Sequence, residues 1–138
     1  PDPGEHDVHA GTSAQDTGWG AGTCAAPEDK LREVSRALDA EDIIRPVKGF
    51  FRDTLPGAAA GMQGLALLHM DGDWYESTRD ILDNLYDQVV PGGLVQVDDY
   101  GHWEGCRKAL TELFQERGLD IVLRPIPGGG GVWFRKSA

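Results

Sequence analysis

Residues 65–100 read LALLHMDGDWYESTRDILDNLYDQVVPGGLVQVDDY, and this stretch decides the fold. It begins with an apolar run, residues 65–68, and soon reaches Asp71-Gly72-Asp73. A second apolar run, residues 94–97, ends in Asp98-Asp99, and one amphipathic segment lies between the two runs. Short apolar runs that alternate with a helical pattern predict a β-α-β unit with parallel strands.

The two acidic clusters follow strands that are predicted to run in the same direction. Because the carboxyl ends of parallel strands meet at one edge of a sheet, we expect four carboxylates within reach of one another: Asp71, Asp73, Asp98 and Asp99. Two such charges about 4 Å apart repel by roughly 4 kcal/mol at an effective dielectric constant of about 20. A raised pKa, a cationic side chain or a metal ion must offset this repulsion. Carboxylate oxygens without nearby His or Cys pairs suit Mg²⁺ or Ca²⁺ better than zinc.

Ordinary structural roles would account for the same residues one at a time. Asp73 could cap the following helix, with Glu76 three positions later as in a capping box. Asp98 could be a turn residue at the end of a strand. Two acidic clusters at equivalent strand ends favour a metal site over these separate roles.

Length and charge restrict the classes of fold and function. The chain has 138 residues, enough for one modest domain, and its 23 acidic and 13 basic residues give a net charge of −10. Such a surface disfavours nucleic acid, whose phosphates need clustered Lys and Arg, and it disfavours anionic membranes. The sequence has no apolar run of roughly 18 residues and no signal peptide at its start. Cys24 and Cys106 make no metal spacing, so we expect free thiols and a cytoplasmic location.

The remaining sequence divides into a loop or disordered arm over residues 1–26 and an α/β domain over residues 27–138. Within the arm, residues 18–22 imitate a glycine-rich nucleotide loop, but no strand precedes them and no helix follows at once, so we exclude that role. The patterns predict a helix over residues 27–38, a strand over 43–51, a loop over 52–56, a central helix over 75–89, a helix over 104–117, and an antiparallel hairpin of strands over 120–126 and 132–135. One face of the first helix is expected to carry Leu31, Val34 and Leu38. The central helix is expected to turn Ile81, Leu82, Leu85 and Val89 towards the sheet and to stop at Pro91-Gly92-Gly93.

Several blocks of the sequence resemble the macrocin O-methyltransferase family and follow the same order. The blocks are Gly49-Phe50-Phe51-Arg52-Asp53-Thr54-Leu55-Pro56, Met70-Asp71-Gly72-Asp73-Trp74-Tyr75-Glu76-Ser77-Thr78, Pro91-Gly92-Gly93, Val97-Asp98-Asp99-Tyr100 and Gly105-Cys106-Arg107-Lys108-Ala109. The resemblance implies a Rossmann-like class I methyltransferase sheet, mostly parallel with an antiparallel C-terminal hairpin. It also implies methylation of sugar hydroxyls on macrolides and related natural products, with S-adenosylmethionine (SAM) and a divalent metal ion, usually Mg²⁺.

The resemblance assigns metal and catalytic roles to the acidic clusters. Asp71, Asp98 and Asp99 match the metal-binding aspartates of the family. Asp73 matches an aspartate proposed as the general base in such enzymes. A carboxylate two residues from a metal ligand can point at the bound hydroxyl rather than at the ion, which fits this division of roles.

Further residues are candidates for contacts with the cofactor and the substrate. Gly49 and Phe50 match the end of a strand beside the adenine of SAM, and Asp71 is assigned to the cofactor site as well as to the metal. Three side chains near the expected mouth of the site are candidate sugar contacts: Tyr75, Tyr100 and His102.

The family also has a glycine-rich first strand-turn that holds the methionine part of SAM and an acidic residue that binds the ribose. Neither is found in this sequence. We therefore expect an N-terminally truncated sheet with a gap beside the strand at residues 65–70. An unpaired edge of this kind favours a homo-oligomer or a complementing chain.

Three functions remain open at this point. The first is a metal-dependent SAM O-methyltransferase, or its C-terminal part, that acts on a small glycosylated natural product. The second is a glycosyltransferase with Asp71-Gly72-Asp73 as a DxD motif, which would not require Asp98-Asp99 at a neighbouring strand end. The third is a non-catalytic remnant or partner subunit that assembles with another chain. For the metal, Mg²⁺, Mn²⁺ and Ca²⁺ remain alternatives.

Overall fold

The computed structural model describes residues 1–23, 25, 27–62 and 64–137. Its elements in chain order are β1 (Val8–His9), β2 (Thr12–Ser13), α1 (Ala14–Thr17), α2 (Glu28–Ala37), α3 (Phe51–Ala59), β3 (Leu65–Met70), α4 (Tyr75–Leu85), β4 (Val89–Val97), α5 (Glu104–Arg117), β5 (Arg124–Pro125) and β6 (Val132–Arg135). Single 3-10 turns lie at Tyr86–Gln88 and Asp99–Gly101.

The main sheet has four strands in the order β3-β4-β6-β5. β3 and β4 are parallel, with Leu68 opposite Val95 and Met70 opposite Val97. β6 is antiparallel to both β4 and β5. The predicted α/β class, the central β-α-β unit and the C-terminal hairpin are therefore confirmed, in a sheet of mixed direction.

The core lies between this sheet and a layer of helices. α4 contacts α3, α5 and β3, and the apolar stripe predicted for the central helix is buried at Ile81, Leu82 and Leu85. The buried cluster that joins the sheet to the helices comprises Ala14, Leu68, Met70, Trp74, Ile81, Leu82, Leu85, Tyr86, Val89, Val95, Val97, Trp103, Cys106, Leu110, Leu113, Val132 and Phe134.

β3 forms one edge of the main sheet, and one of its faces is uncovered. Leu68 and Met70 are buried, whereas Leu67 is 54% exposed and His69 is exposed. Successive side chains of a strand point to opposite faces, so the buried residues face the helices and the exposed ones face away. Within the part of the chain that the structure describes, no strand pairs with the outer edge of β3.

The strand predicted over residues 43–51 and the loop predicted over 52–56 are wrong. Residues 44–50 have no regular secondary structure, and Phe51 begins α3, which continues through Pro56. Pro46 cannot donate a ladder hydrogen bond, which weakens the case for a strand. Pro56 removes one intrahelical bond. The Thr54 hydroxyl adds a bond at the start of the helix by donating to the Phe50 carbonyl (2.9 Å).

The central helix is shorter than predicted, and the segment expected to stop it lies inside a strand. α4 ends at Leu85, and β4 already begins at Val89. Along the β3–β4 pair, Leu65 lies opposite Val89 and Leu67 lies opposite Leu94, so two steps on β3 match five on β4. Pro91-Gly92-Gly93 therefore forms a bulge, the arrangement in which extra residues of one strand are left unpaired.

Three further expectations have mixed outcomes. The helices predicted over residues 27–38 and 104–117 are confirmed as α2 and α5. The apolar residues of the first helix are exposed rather than buried: Leu31 by 43%, Val34 by 53% and Leu38 by 69%. The strand predicted over 120–126 is restricted to Arg124–Pro125.

The described part of the segment predicted to be a loop or disordered arm has some order. β1 and β2 pair as a short antiparallel hairpin, and α1 follows directly. Asp7 and Ala14 are both 0% exposed, so this segment contacts the core. The division into an arm and a domain stays a prediction, and Cys24 lies outside the described residues.

No helix in the described ranges has both the length and the apolar character needed to cross a membrane.

Candidate metal centre

Both acidic turns lie at the same edge of the sheet, because β3 and β4 run in parallel. Asp71-Gly72-Asp73 lies between β3 and α4, and Asp98-Asp99 follows β4. The Asp98 amide donates a hydrogen bond to the Met70 carbonyl (3.0 Å), which ties the two strand ends together. The ends of the two strands therefore determine how far apart the carboxylates are.

Three of the four carboxylates form a group. Asp71, Asp73 and Asp99 each offer a carboxylate oxygen, and these oxygens all lie within 4.8 Å of one another. Asp98 is exposed and lies outside this group. The family resemblance implies that Asp98 is a ligand and Asp73 the base, whereas Asp73 lies where a third ligand was expected. Both assignments stay predictions. Asp71, Asp73 and Asp99 are called the carboxylate group below.

The turn after β3 holds Asp73 in a restricted backbone conformation. Its φ is +54°, in the left-handed region that residues other than glycine seldom adopt. The Trp74 amide donates to the Gly72 carbonyl (2.6 Å), which closes a three-residue turn centred on Asp73. The Asp73 amide donates to Asp99 Oδ2 (3.0 Å). This bond links the two acidic turns directly.

The electrostatics of the carboxylate group disfavour three negative charges. Burial raises the pKa of Asp99 to about 7, and the charges of Asp73, Asp71 and Asp98 act in the same direction. Burial, followed by the charge of Asp71, raises the pKa of Asp73. A cation among these oxygens would favour the ionised forms instead. The donor set consists of hard carboxylate oxygens, which fits Mg²⁺, Mn²⁺ or Ca²⁺.

α4 does not begin with the capping box considered for Asp73 and Glu76. Trp74 is the N-cap residue, and its side chain makes no capping hydrogen bond. The Tyr75 amide instead donates to Asp7 Oδ1 (2.7 Å), and the Gly4 amide donates to Asp7 Oδ2 (2.7 Å). A residue 68 positions earlier in the chain therefore caps the helix that follows the first acidic turn.

Asp7 was missed by the sequence analysis because no local pattern marks it. One indirect signal exists at Gly105, the second residue of α5. A Cβ at that position would lie 2.1 Å from Asp7 Oδ1 and 3.1 Å from the Tyr75 Cβ. A glycine inside a helical pattern often marks such a close approach, although the sequence does not identify the approaching group.

A cavity of about 490 Å³ opens beside Asp71 and Asp73. Its walls include the side chains of Phe50 and Trp19, which are 50% and 47% exposed. Residues 20–23 also line it, so the glycine-rich stretch lies at the site although it forms no strand-to-helix nucleotide loop. Phe50, a predicted adenine contact, thus has an accessible side chain beside the carboxylate group.

The other predicted cofactor residue, Gly49, is explained by backbone geometry. Its φ is +148°, and a Cβ there would lie 2.6 Å from Thr54 Cγ2. Any larger residue would therefore be strained at this position, with or without a bound cofactor.

The three candidate sugar contacts lie in different surroundings. The Tyr75 hydroxyl donates to Glu112 Oε2 (2.7 Å) on α5, and this bond is the main reason that the pKa of Tyr75 is raised. Tyr100 is partly buried against the core. His102 is exposed, and its ring stacks on that of His9 with centroids 4.1 Å apart. All three roles stay predictions.

The chain is similar to a known protein family and to several characterised proteins. The family model described as macrocin O-methyltransferase (TylF) matches residues 1–136. One relative is the 8-demethyl-8-(2,3-dimethoxy-alpha-L-rhamnosyl)-tetracenomycin-C 4'-O-methyltransferase of Streptomyces olivaceus, 38% identical over 118 residues, which are 85% of this chain and 44% of the relative.

Two further relatives come from other organisms. Demethyldecarbamoylnovobiocin O-methyltransferase of Streptomyces niveus is 38% identical over 98% of this chain and 51% of its own length. Mycinamicin III 3''-O-methyltransferase of Micromonospora griseorubida is 37% identical over 78% of this chain and 41% of its own length. The chain thus spans about half the length of the curated relatives it matches.

Two solved structures share the fold of this chain. The O-methyltransferase NovP matches with a TM-score of 0.81 at 37% identity, over 100% of this chain and 56% of NovP. The calicheamicin methyltransferase CalS11 matches in fold with a TM-score of 0.74 at 24% identity, over 98% of this chain and 55% of CalS11. Since the family model covers almost every residue of this sequence, the chain belongs to the macrocin O-methyltransferase (TylF) family.

Proposed function

We propose that this chain forms the cation-binding part of a SAM-dependent O-methyltransferase. The observation that carries the proposal is the convergence of Asp71, Asp73 and Asp99, with oxygens within 4.8 Å of one another, in a chain of an O-methyltransferase family. The proposed substrate is a sugar hydroxyl of a macrolide-like or related glycosylated natural product. The name of the Streptomyces olivaceus relative includes a rhamnosyl group, and CalS11 is described as a TDP-rhamnose 3'-O-methyltransferase.

Asp71 and Asp99 are proposed to hold the cation, with Mg²⁺ as the first candidate. Both were assigned as ligands from the sequence, and both belong to the carboxylate group. When bound, a divalent cation lowers the pKa of a coordinated alcohol. Burial, together with the negative charges of Asp73 and Asp71, raises the pKa of Asp99 to about 7, and a cation beside Asp99 would favour its ionised form.

Asp73 is proposed to take the proton from the sugar hydroxyl. Burial raises its pKa, which makes its carboxylate a stronger base than an ordinary aspartate. Its restricted φ of +54° and its amide bond to Asp99 fix its position. The adjacent cavity of about 490 Å³ has room for a sugar ring, and its aromatic side chains suit the apolar face of such a ring.

The described residues supply only part of a site for SAM, the proposed methyl donor. Phe50 and Asp71 line the cavity, but among the described elements no glycine-rich turn joins a strand to a helix. No reaction step is therefore assigned to SAM contacts of this chain. We propose that a complementing segment supplies the glycine-rich turn at the open edge of β3.

Calorimetric titration of this chain with Mg²⁺ and Mn²⁺ tests the cation site. Binding that is lost in Asp71→Asn and Asp99→Asn supports the proposal. A wild-type chain that binds neither ion would overturn it. A parallel titration with a UDP-sugar tests the glycosyltransferase alternative, since tight binding of that ligand would favour it.

The role of Asp73 needs a second measurement. Methyl transfer from SAM to a glycosylated acceptor would be followed by mass spectrometry, with this chain complemented by the part of the Streptomyces niveus relative that it does not match. If Asp73 is the base, Asp73→Asn keeps the Mn²⁺ affinity and loses turnover. If Asp73→Asn loses Mn²⁺ affinity, Asp73 is a ligand.

A further inference from the structure

Asp7 is a buried acidic residue that the proposed chemistry does not use. It is 0% exposed, and its two carboxylate oxygens accept hydrogen bonds from the amides of Tyr75 and Gly4. None of the ion pairs found among the described residues includes it. A carboxyl group is costly to bury without such compensation, so its position needs an explanation.

The Asp7 side chain lies at the start of two helices. Tyr75 is the first residue of α4. Gly105 is the second residue of α5, and a Cβ there would lie 2.1 Å from Asp7 Oδ1. The positive ends of two helix dipoles therefore act on one carboxylate, which favours its burial at this place.

Each of these helices follows one of the acidic turns. Tyr75 lies two residues after Asp73, and the other end of that turn is held by the bond from the Asp98 amide to the Met70 carbonyl (3.0 Å). The same N-terminal segment also reaches the second turn, because His9 Nδ1 lies 2.6 Å from the His102 carbonyl oxygen. Residues 7–9 thus contact the chain just after both acidic turns.

We propose that Asp7 is a positioning residue for the carboxylate group. By accepting the Tyr75 amide, it fixes the end of the turn that presents Asp71 and Asp73 to Asp99. Without this bond the first turn of α4 loosens, Asp73 leaves its restricted φ of +54°, and its amide bond to Asp99 Oδ2 breaks. The expected loss of cation affinity rests on the proposed function, whereas the expected loss of the Asp73 amide bond does not.

The first test is amide hydrogen exchange at Asp73, measured by NMR without metal. Asp7→Asn keeps the side-chain volume, removes the negative charge and replaces one acceptor oxygen with a donor. The Tyr75 amide therefore loses either its acceptor or the charge that strengthens the bond. The matched control is Leu85→Ala, a core change at the far end of α4, where Leu85 is 8% exposed. At a temperature below the melting temperatures of both variants, Asp7→Asn speeds exchange of the Asp73 amide by about tenfold or more. This is the effect expected for loss of a charged hydrogen bond. Leu85→Ala leaves that rate unchanged.

A second pair of variants removes the donor instead of the acceptor. Tyr75→Pro deletes the amide hydrogen at the first helical position, where proline is favoured. Trp74 already has the extended conformation (φ −87°, ψ 155°) that a residue before proline adopts. Tyr75→Ala removes the same side chain and keeps the amide, so the difference between the two variants isolates the bond to Asp7. This pair keeps the test decisive if Asp7→Asn does not fold.

Mn²⁺ titration then measures the consequence for the site. Asp7→Asn and Tyr75→Pro weaken Mn²⁺ binding about 10- to 100-fold, the usual effect of removing a group that orients metal ligands. Leu85→Ala keeps the wild-type affinity, and Tyr75→Pro binds Mn²⁺ more weakly than Tyr75→Ala. Equal losses in test and control variants, or an unchanged Asp73 amide in Asp7→Asn and Tyr75→Pro, would overturn the positioning role. A wild-type chain that binds no Mn²⁺, but whose Asp73 amide responds as described, would overturn the proposed function and support the positioning role.

Discussion

Asp99→Asn is expected to stabilise the metal-free protein above neutral pH while it removes cation binding. Burial and the charge of Asp73 raise the pKa of Asp99 from its usual 3.8 to about 7. The folded state therefore binds more protons than the unfolded state between these two values, and stability falls as the pH rises through that range. Asparagine stays neutral throughout, and its carbonyl oxygen can still accept the Asp73 amide.

The size of the effect follows from the same shift. A change from 3.8 to about 7 corresponds to at most roughly 4 kcal/mol, at about 1.4 kcal/mol for each pH unit. Asp99 is only partly buried, and solvent and salt screen its repulsion, so we expect about 2 kcal/mol at pH 8. For a chain of 138 residues this raises the melting temperature by about 7 °C. At pH 4 the gain is close to zero, because most wild-type Asp99 is then protonated.

Thermal unfolding in EDTA at pH 4 and pH 8 measures this difference. Asp98→Asn is the matched control, since it removes an equal charge from the neighbouring residue, which is exposed and outside the carboxylate group. Adding Mg²⁺ should raise the melting temperature of the wild type but not that of Asp99→Asn. An Asp99→Asn protein that is no more stable than Asp98→Asn at pH 8 would refute the reasoning.

Three further predictions concern packing and exposure. Gly105→Ala lowers the free energy of unfolding by about 2 kcal/mol, since its Cβ would lie 2.1 Å from Asp7 Oδ1. Chemical denaturation measures this loss, which should be smaller when Asp7 is also replaced by Ala. The Cys106 thiol, whose pKa burial raises to about 12, should react with iodoacetamide at pH 8 only after unfolding, as mass spectrometry of a Cys24→Ser protein can test. Leu67→Lys, on the uncovered face of β3, changes stability by less than about 0.5 kcal/mol, whereas Leu68→Lys, at a position 6% exposed, prevents cooperative thermal unfolding.

The parts of the fold that could be predicted are those specified by local pattern. The apolar runs on either side of residues 71–93 identify two strands, and the amphipathic segment between them identifies the crossover helix. Neighbouring parallel strands need a crossover of this kind, so the pattern indicates that these two strands are parallel. That relation alone places residues 71–73 and 98–99 at one edge of the sheet, so most of the carboxylate group could be predicted without coordinates.

The secondary structure was predicted wrongly where the local sequence pattern is compatible with two different structures. Residues 43–51 are apolar enough to form a strand. A strand must also pair with the free edge of a neighbouring strand, and the sequence of one segment does not show whether such an edge is available. Pro91-Gly92-Gly93 is typical of a helix stop, and the same residues permit the bulge that β4 forms opposite β3. The choice between these outcomes depends on the register of the sheet, which involves residues far apart in the chain.

Asp7 shows why the site itself was only partly predictable. An aspartate in a polar N-terminal stretch is an ordinary surface residue unless its partner is known, and the partner here is the amide of Tyr75 (2.7 Å). Amide groups carry no side-chain signature, so sequence patterns cannot identify this contact. Residues that organise a site through backbone bonds are therefore harder to predict than the residues that perform its chemistry.

The arrangement also explains how three carboxylates that repel one another are held close together. Strand pairing fixes Met70 against Val97, the Asp73 amide binds Asp99, and Asp7 holds the start of α4. Each of these contacts involves the backbone, so ionisation of the carboxylates does not remove them. A site held in this way does not need to rearrange when an ion arrives, and less of the binding free energy is lost to ordering. Relief of the repulsion among the carboxylates would then contribute to cation affinity, which is why Asp99→Asn should stabilise the metal-free fold and abolish cation binding.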